Sequence, residues 1–292
     1  MADIYGAIIG DIVGSYHEVL EMDWFATKTI DAVRRRKILD SRTPLFDDKS
    51  SFTDDSILTC AVAQALLTDG DYEKSIRHYG LKEKSLGEDI YGRSKFGDGF
   101  IKWLLGKEEH KSFGNGCAMR ISPVGYAFDT LERTLDEAEK SIVCSHGGEG
   151  TVACGQAVAG AVFLARTGHS KQEIKEFAEG LVGKSLDYDL DALTESYYFK
   201  MKAVNSVPEA IACFLQGNSF EDVLRKSISI GGDSDTIACI ACGIAGAYYE
   251  IPANIKAEAS KYITDEYKQI LDKFNNVFVR GESYAEEDNS IR

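Results

Sequence analysis

Only four prolines interrupt the 292 residues of this chain, at Pro44, Pro123, Pro208 and Pro252. Sustained period-two alternation of apolar and polar residues is missing, and no Asn-Gly pair is flanked by such alternation, so a sheet-based fold is not expected. Long hydrophobic runs are lacking too. The longest uncharged stretches, Thr151–Ala165 and Thr236–Tyr249, fall short of the roughly 20 residues a bilayer-spanning helix needs. A basic excess is also absent: 33 Lys and Arg stand against 47 Asp and Glu, a formal charge of −14. Nucleic-acid affinity depends on neutralising phosphates, so binding to nucleic acid by the chain as a whole is not expected. A small anionic ligand requires cations or metal ions to reverse the field locally. The cysteines number seven, an odd count scattered through apolar stretches, as in a reducing compartment. Cys239 and Cys242 form a C-x-x-C, but no second pair or nearby His completes a zinc set, and the pair reads as helix packing. The start, Met1-Ala2-Asp3-Ile4-Tyr5, carries no basic segment of a secretory signal. A soluble, cytoplasmic protein without a membrane partner is expected.

What the sequence does have is helical periodicity. In Ile57–Leu67 the apolar residues Ile57, Leu58, Ala61, Val62, Ala65 and Leu66 recur at steps of three and four, tracing one helix face. The same spacing runs through Leu131–Val143, Val152–Ala165, Pro208–Leu215 and Ile237–Tyr248. Pro208 and Pro252 stand where a helix would begin, the position that tolerates proline. Gly6, Gly10 and Gly14 are spaced by four, and Thr236–Ala247 is almost wholly Ala, Cys, Gly and Ile. Such thin helices belong at the centre of a bundle, either for packing alone or to bring the loops at their ends together. Arg36–Ser51 reads as a polar loop. No Pro/Ser-rich linker or repeat divides the chain, so a single all-helical domain over residues 1–280 is expected, with a polar, fraying end at 281–292.

Two acidic motifs stand directly before helices. Thr53-Asp54-Asp55 precedes the first strong helix, where Thr and Asp are ordinary N-cap residues. Taken alone, capping is the simpler reading. Gly231-Gly232-Asp233-Ser234-Asp235-Thr236 precedes the last thin helix, and it supplies more anionic oxygen than one helix start can use. Hard divalent cations want such oxygen ligands, and the glycines let the backbone bend so that alternate side chains converge. The motifs are near mirror images. Brought together they offer four carboxylates and two hydroxyls, a cage for two divalent ions about 3.5–4 Å apart. Without metal, four clustered Asp would repel severely.

With these motifs the chain resembles the ADP-ribosylglycohydrolase family, which includes the dinitrogenase reductase activating glycohydrolases and the eukaryotic ADP-ribosylhydrolases. The resemblance runs from Tyr5-Gly-Ala-Ile-Ile-Gly-Asp to Ala245-Gly-Ala-Tyr-Tyr249. Its most specific parts are Phe52-Thr-Asp-Asp-Ser56 and Gly231-Gly-Asp-Ser-Asp-Thr236. Gly114-Asn-Gly-Cys-Ala-Met-Arg120, Ser145-His146 and Val207-Pro-Glu-Ala-Ile211 follow in the family's order. It implies a compact orthogonal bundle of helices with two Mg²⁺ (or Mn²⁺) at the base of a cleft. Thr53, Asp54 and Asp55 would hold metal from the early motif, and Asp233, Asp235 and Thr236 from the late one. In Gly10-Asp-Ile-Val-Gly-Ser-Tyr-His-Glu18, Glu18 takes the place of the family's catalytic Glu; on its own it would read as a solvated carboxylate.

The loop Lys111-Ser-Phe-Gly-Asn-Gly116 has the glycines and small polar groups to wrap a diphosphate with backbone N–H donors. By resemblance Ser112, Phe113, Gly114 and Asn115 contact the diphosphate and ribose. Gly97 and Gly99 of Phe96-Gly-Asp-Gly-Phe100 are expected to line the same cleft. Asp98 is open between supporting the site and forming a plain turn, and His146 between contacting or orienting the ligand and capping a helix.

The implied activity is hydrolysis of the bond at C1″ of ADP-ribose on a protein side chain or related acceptor. Metal would hold the 2″ and 3″ hydroxyls, and Glu18 would position the attacking water. The partners are then ADP-ribose or an ADP-ribosylated protein, with nucleic acid only as a modified substrate. Glu18 and the Ser112–Asn115 loop lean towards serine-linked or poly(ADP-ribose) substrates. Two alternatives remain. A non-catalytic, crystallin-like relative would tolerate loss of ligands, whereas all six positions are kept here. A generic binuclear-metal phosphoesterase explains four Asp but not the Gly-Asn-Gly loop or the Glu18 segment.

Overall fold

The computed structural model describes residues 2–22, 24–89, 92–107 and 111–281. The chain runs through α1 (Tyr5–Met22), α2 (Trp24–Thr27), α3 (Ala32–Lys37), α4 (Asp54–Leu67), α5 (Tyr72–Ser85), α6 (Asp98–Leu104), α7 (Gly116–Met119), α8 (Ser122–Ala127) and α9 (Leu131–Val143). It continues through α10 (Thr151–Arg166), α11 (Lys171–Val182), α12 (Leu190–Ser196), α13 (Val207–Gln216), α14 (Phe220–Ser229), α15 (Ser234–Tyr248), α16 (Ala253–Ala259) and α17 (Asp265–Phe274). Among the described residues no strand forms. Two isolated bridges, Ser112 to His146 and Gly114 to Lys202, are the sheet-like pairings among these residues. The fold is all-α, as the periodicity predicts. Arg36 and Lys37, expected in a loop, form the last turn of α3. The segment expected to fray lies, from residue 282 onward, outside the described residues. No helix among the described residues is long and apolar enough to cross a membrane.

Local signals set the helix ends. Ser170 and Glu173 close a capping box at α11, and Thr130 and Ser219 cap α9 and α14 through the amides of Arg133 and Asp222. Pro208 falls in the first turn of α13 and Pro252 is the N-cap of α16. Helix α15, buried from Ser234 to Ala247, forms the axis of the bundle, with α1, α4, α10, α13 and α14 packed around it. Beyond its polar first turn, Ile237–Tyr248 carries no charged side chain, as a position on the axis requires.

The glycine stripe of α1 brings that helix hard against α15. A Cβ at Gly6 would lie 2.3 Å from the Cys242 carbonyl oxygen, and one at Gly10 would lie 2.2 Å from that of Ala238. At Gly14 the obstacle is the Cα of Asp235, 2.5 Å away. The opposing atoms are all backbone, so a methyl can only be admitted by separating the helices. Gly10→Ala is therefore expected to destabilise the protein by about 1–3 kcal/mol, although alanine is the better helix former. Urea unfolding should show a lower midpoint with an unchanged slope; an equal or higher midpoint would exclude stripe-limited packing. The stripe also brings the two readings of the thin helices together, because packing Gly14 on Asp235 is what places an acidic motif beside α1.

Candidate active site

Both acidic motifs open a helix in the structure. Thr53 is the N-cap of α4, and its hydroxyl accepts the Asp55 amide at 3.4 Å, a long bond. Asp233 is the N-cap of α15, yet its side chain makes no capping bond. Its carboxylate instead accepts a 2.7 Å hydrogen bond from the Asn115 side-chain amide. Capping thus does not account for the acids. Gly231 and Gly232 have φ of 74° and 76°, a conformation that glycine adopts without strain. Any Cβ would also meet the Arg35 guanidinium at Gly231 (2.2 Å) and the Tyr197 ring at Gly232 (2.7 Å). The Arg35 group is itself fixed by Glu21 at 2.5 Å and the Thr194 carbonyl at 3.0 Å. The double-glycine turn is thereby clamped on both sides, and Asp233 and Asp235 are delivered in one orientation.

The two motifs meet. The Thr236 hydroxyl donates to Asp55 Oδ2 at 3.3 Å. Asp11, Asp55 and Asp235 bring carboxylate oxygens within 4.8 Å of one another, as do Glu18, Asp233 and Asp235, so Asp235 belongs to both triplets. Asp54 lines the same cavity but joins neither triplet. Asp11 has no role in the sequence reading. It is fully buried on α1, and its carboxylate accepts from the Thr53 amide and hydroxyl (3.1 and 2.5 Å) and the Ser56 amide (3.1 Å). It therefore fastens the start of α4 to α1. A signal for it existed, since an Asp beside a packing glycine in an apolar helix face needs partners.

Burial raises the affinity of every one of these acids for protons, and their mutual repulsion adds to it. Glu18 is pushed up to about 9 by burial and then by the charge of Asp235, against the nearby Arg93 at 3.6 Å. Asp54 is raised to about 8 by burial and the charges of Asp11 and Glu18. Asp233 is raised to about 7 by burial and Glu18, with the Asn115 bond opposing. Asp11 is raised to about 6 by burial, against the hydrogen bonds it accepts from Thr53 and Ser56. Asp55 and Asp235 are displaced well upward, by burial and by the charges of Asp235 and Asp233 respectively. Asp55 Oδ1 is buried and has no hydrogen-bond partner. An acceptor lone pair left unmet among like charges is what a cation ligand looks like before the cation is bound.

These groups open onto a cavity of about 630 Å³, within the usual range for small-ligand sites. All six expected metal ligands line it, together with Glu18, Gly97, Gly99, Ser112, Gly114, Asn115 and His146. Met22, Phe25, Phe199 and Met201 give the opposite character, an apolar margin. Glu18 is 13% exposed, so it is not the solvated carboxylate it would be on its own. Phe113 is the expected ligand contact that the cavity wall does not include: it is 56% exposed and its ring covers Gly148. Asp98 opens α6 in its first turn and does not line the cavity. The diphosphate-wrapping amides also need correction. Ser112 N donates to Ser145 O, Asn115 N to Met201 O and Gly114 N to Ser112 Oγ, so these three are already committed to shaping the loop. Asn115 serves through its side chain instead, on Asp233.

The model of the ADP-ribosylglycohydrolase family matches residues 2–283, and the chain belongs to that family. Human ADP-ribosylhydrolase ARH3 is 28% identical, with 84% of this chain and 83% of the human protein covered. The bovine protein of that name is 26% identical over 94% and 91%. ADP-ribosylarginine hydrolase Tri1 of Pseudomonas putida is 22% identical over 85% and 70%. In fold, the chain is similar to a solved ADP-ribosylglycohydrolase-related protein complex, with a TM-score of 0.67 at 20% identity over 94% of this chain and 95% of the other.

Proposed function

We propose that this protein hydrolyses the glycosidic bond at C1″ of ADP-ribose attached to a protein side chain or related acceptor, using two Mg²⁺ (or Mn²⁺). The observation that carries the reading is the pair of carboxylate triplets sharing Asp235 at the wall of a ligand-sized cavity. Family membership supplies the ligand class. Asp54, Asp55, Asp233 and Asp235, with the hydroxyls of Thr53 and Thr236, are the residues that would hold the metal. Their fit to hard cations rests on all-oxygen donors, repulsion among buried acids and the unmet Asp55 Oδ1. Bound there, the metal supplies positive charge that anchors the distal ribose hydroxyls and offsets the acids. Glu18 orients the attacking water, its carboxyl held at the cavity by Arg93. Asn115 keeps Asp233 in place, and Ser112, Gly114, His146, Gly97 and Gly99 form the wall along which the nucleotide lies. The keeping of every ligand position weighs against a purely structural relative. Glu18 and the Ser112–Asn115 loop favour serine-linked or poly(ADP-ribose) substrates.

The test is release of ADP-ribose from substrates of defined linkage. Release is expected with Mg²⁺ and lost on chelation, faster for serine-linked and poly(ADP-ribose) substrates than for arginine-linked ones. Unchanged turnover after exhaustive chelation would contradict the metal reading, and preference for the arginine linkage would contradict the branch.

The raised acids also predict how stability depends on pH. Their folded values lie above the unfolded ones, so between the two the folded state holds more protons and stability falls as pH rises. His17, pushed down to about 4 by burial and Arg34, acts in the opposite sense only below its unfolded value of about 6.5. From pH 6.5 to 8.5 the acids lead, chiefly Asp233, Asp54 and Glu18, and towards pH 8.5 the buried thiols, also pushed up by burial, add a loss of the same sign. The chelated protein should lose about 1.4 kcal/mol per pH unit for each group still titrating, and Mg²⁺ should offset the loss. Thermal melts at both pH values with chelator and with Mg²⁺ decide it. A chelated protein that gains stability towards pH 8.5 would rule out the buried acid cluster.

A further inference from the structure

Arg120 is fully buried, yet it faces no carboxylate among the described residues, and its Nε and Nη1 have no hydrogen-bond partner. A guanidinium in that state is expensive to keep, so the contacts it does make are informative. They come from Nη2, which donates to the Ser141 carbonyl at 3.0 Å and to Ser145 Oγ at 2.8 Å. Ser145 Oγ in turn lies 2.9 Å from His146 Nδ1. The other face of that imidazole adjoins the cavity: Nε2 would stand 3.1 Å from a Cβ on Gly116, and both residues line the wall beside Asn115.

A serine hydroxyl has one proton to give. Here one of its lone pairs is taken by Arg120. Among the described residues the acceptor in reach of the Ser145 proton is Nδ1 at 2.9 Å; the Cys144 thiol, 3.9 Å away, is the donor in its contact with Ser145 Oγ. Were Nδ1 protonated, the hydroxyl would accept from both Arg120 and the ring while its own proton, fully buried, would be left without an acceptor among the described residues. Interior polar groups avoid that outcome. We infer that Arg120, acting through Ser145, fixes His146 as the tautomer with its proton on Nε2, so that the ring presents an N–H donor to the cavity rather than a lone pair. Arg120 and Ser145 are positioning residues, and His146 is a donor to an anionic group and not a base. The ligand half of this inference rests on the functional reading above: diphosphate oxygens only accept hydrogen bonds, and a ring lone pair turned towards them would repel.

Long-range ¹H–¹⁵N NMR on protein labelled at its five histidines reads the tautomer directly, with the His146 signals assigned by their loss in His146→Gln. The parent should show the Nε2–H pattern at neutral pH. Ser145→Thr, which keeps the hydroxyl, should retain it. Ser145→Ala and Arg120→Met should each show a mixture of tautomers, with ADP-ribose Kd weakened about tenfold, the size of one charged hydrogen bond, and kcat lowered far less. An Nδ1–H or doubly protonated ring in the parent overturns the inference, as does an Nε2–H pattern unchanged in both variants. Should one variant not fold, the other and the parent decide. A parent that shows the Nε2–H pattern but binds no ADP-ribose removes the functional reading, and the tautomer result still settles the positioning role.

Discussion

Asp55→Ala and Asp235→Ala are each expected to lower turnover by about 10³-fold or more, with the double variant hardly worse than either, because groups that act as one unit lose their function together. The two side chains come from opposite ends of the sequence, but Thr236 joins their motifs through a hydrogen bond to Asp55, and Asp235 completes both acid triplets. Removing either carboxylate therefore disables the same site. Stability should move the other way. In chelated protein near pH 8 these acids repel one another, so Asp55→Asn is expected to raise the melting temperature while abolishing turnover. That opposition separates a metal ligand from a structural acid, whose loss would lower both. Steady-state turnover at saturating Mg²⁺ and melts in chelator are the measurements. If the two single effects multiply in the double variant, the motifs serve separate sites.

How much of this could be read from the sequence depends on the range of the interaction. The helices α4, α9, α10, α13 and α15 follow from periodicity, and the thinness of α1 and α15 from their small residues, because both are local properties. The acidic motifs are legible because each crowds more anionic oxygen onto a helix start than capping uses. Asp11 escapes this reasoning. It is the one acid among the small and apolar residues of the first half of α1, and its partners Thr53 and Ser56 lie more than forty positions away in the chain. Asn115 is legible as part of a glycine-flanked loop, but its bond to Asp233 depends on how that loop is pinned between Ser145 and Met201. The same pinning takes up amides expected to face the ligand and turns the Phe113 ring over Gly148. Arg120 stands in the same motif, and it is its burial without a carboxylate partner among the described residues that points to its action on Ser145. Charge alone would have placed it at the surface.

Glu18→Gln is expected to lower turnover by about 10²–10⁴-fold, the usual contribution of a positioned base, while ADP-ribose affinity stays within about tenfold of the parent. The substitution keeps the size of the side chain and most of its contacts, including the approach of Arg93 at 3.6 Å. Two other roles are open to a carboxyl in this place, and each leaves a different trace. As a solvated group at the cleft mouth it would change neither quantity, a reading its 13% exposure already opposes. As a further metal ligand, suggested by its triplet with Asp233 and Asp235, its loss would weaken Mg²⁺ binding, and excess Mg²⁺ would restore much of the turnover. Single-turnover rates over a range of Mg²⁺, alongside calorimetric titration with ADP-ribose, distinguish the three. A deficit that persists at every Mg²⁺ concentration, with affinity retained, assigns Glu18 to the water. Recovery at high Mg²⁺ moves it among the ligands, and near-normal turnover removes both roles together with the lean towards serine-linked and poly(ADP-ribose) substrates. The metal reading stands in any of these cases, because Asp54, Asp55, Asp233 and Asp235 crowd the same cavity without Glu18.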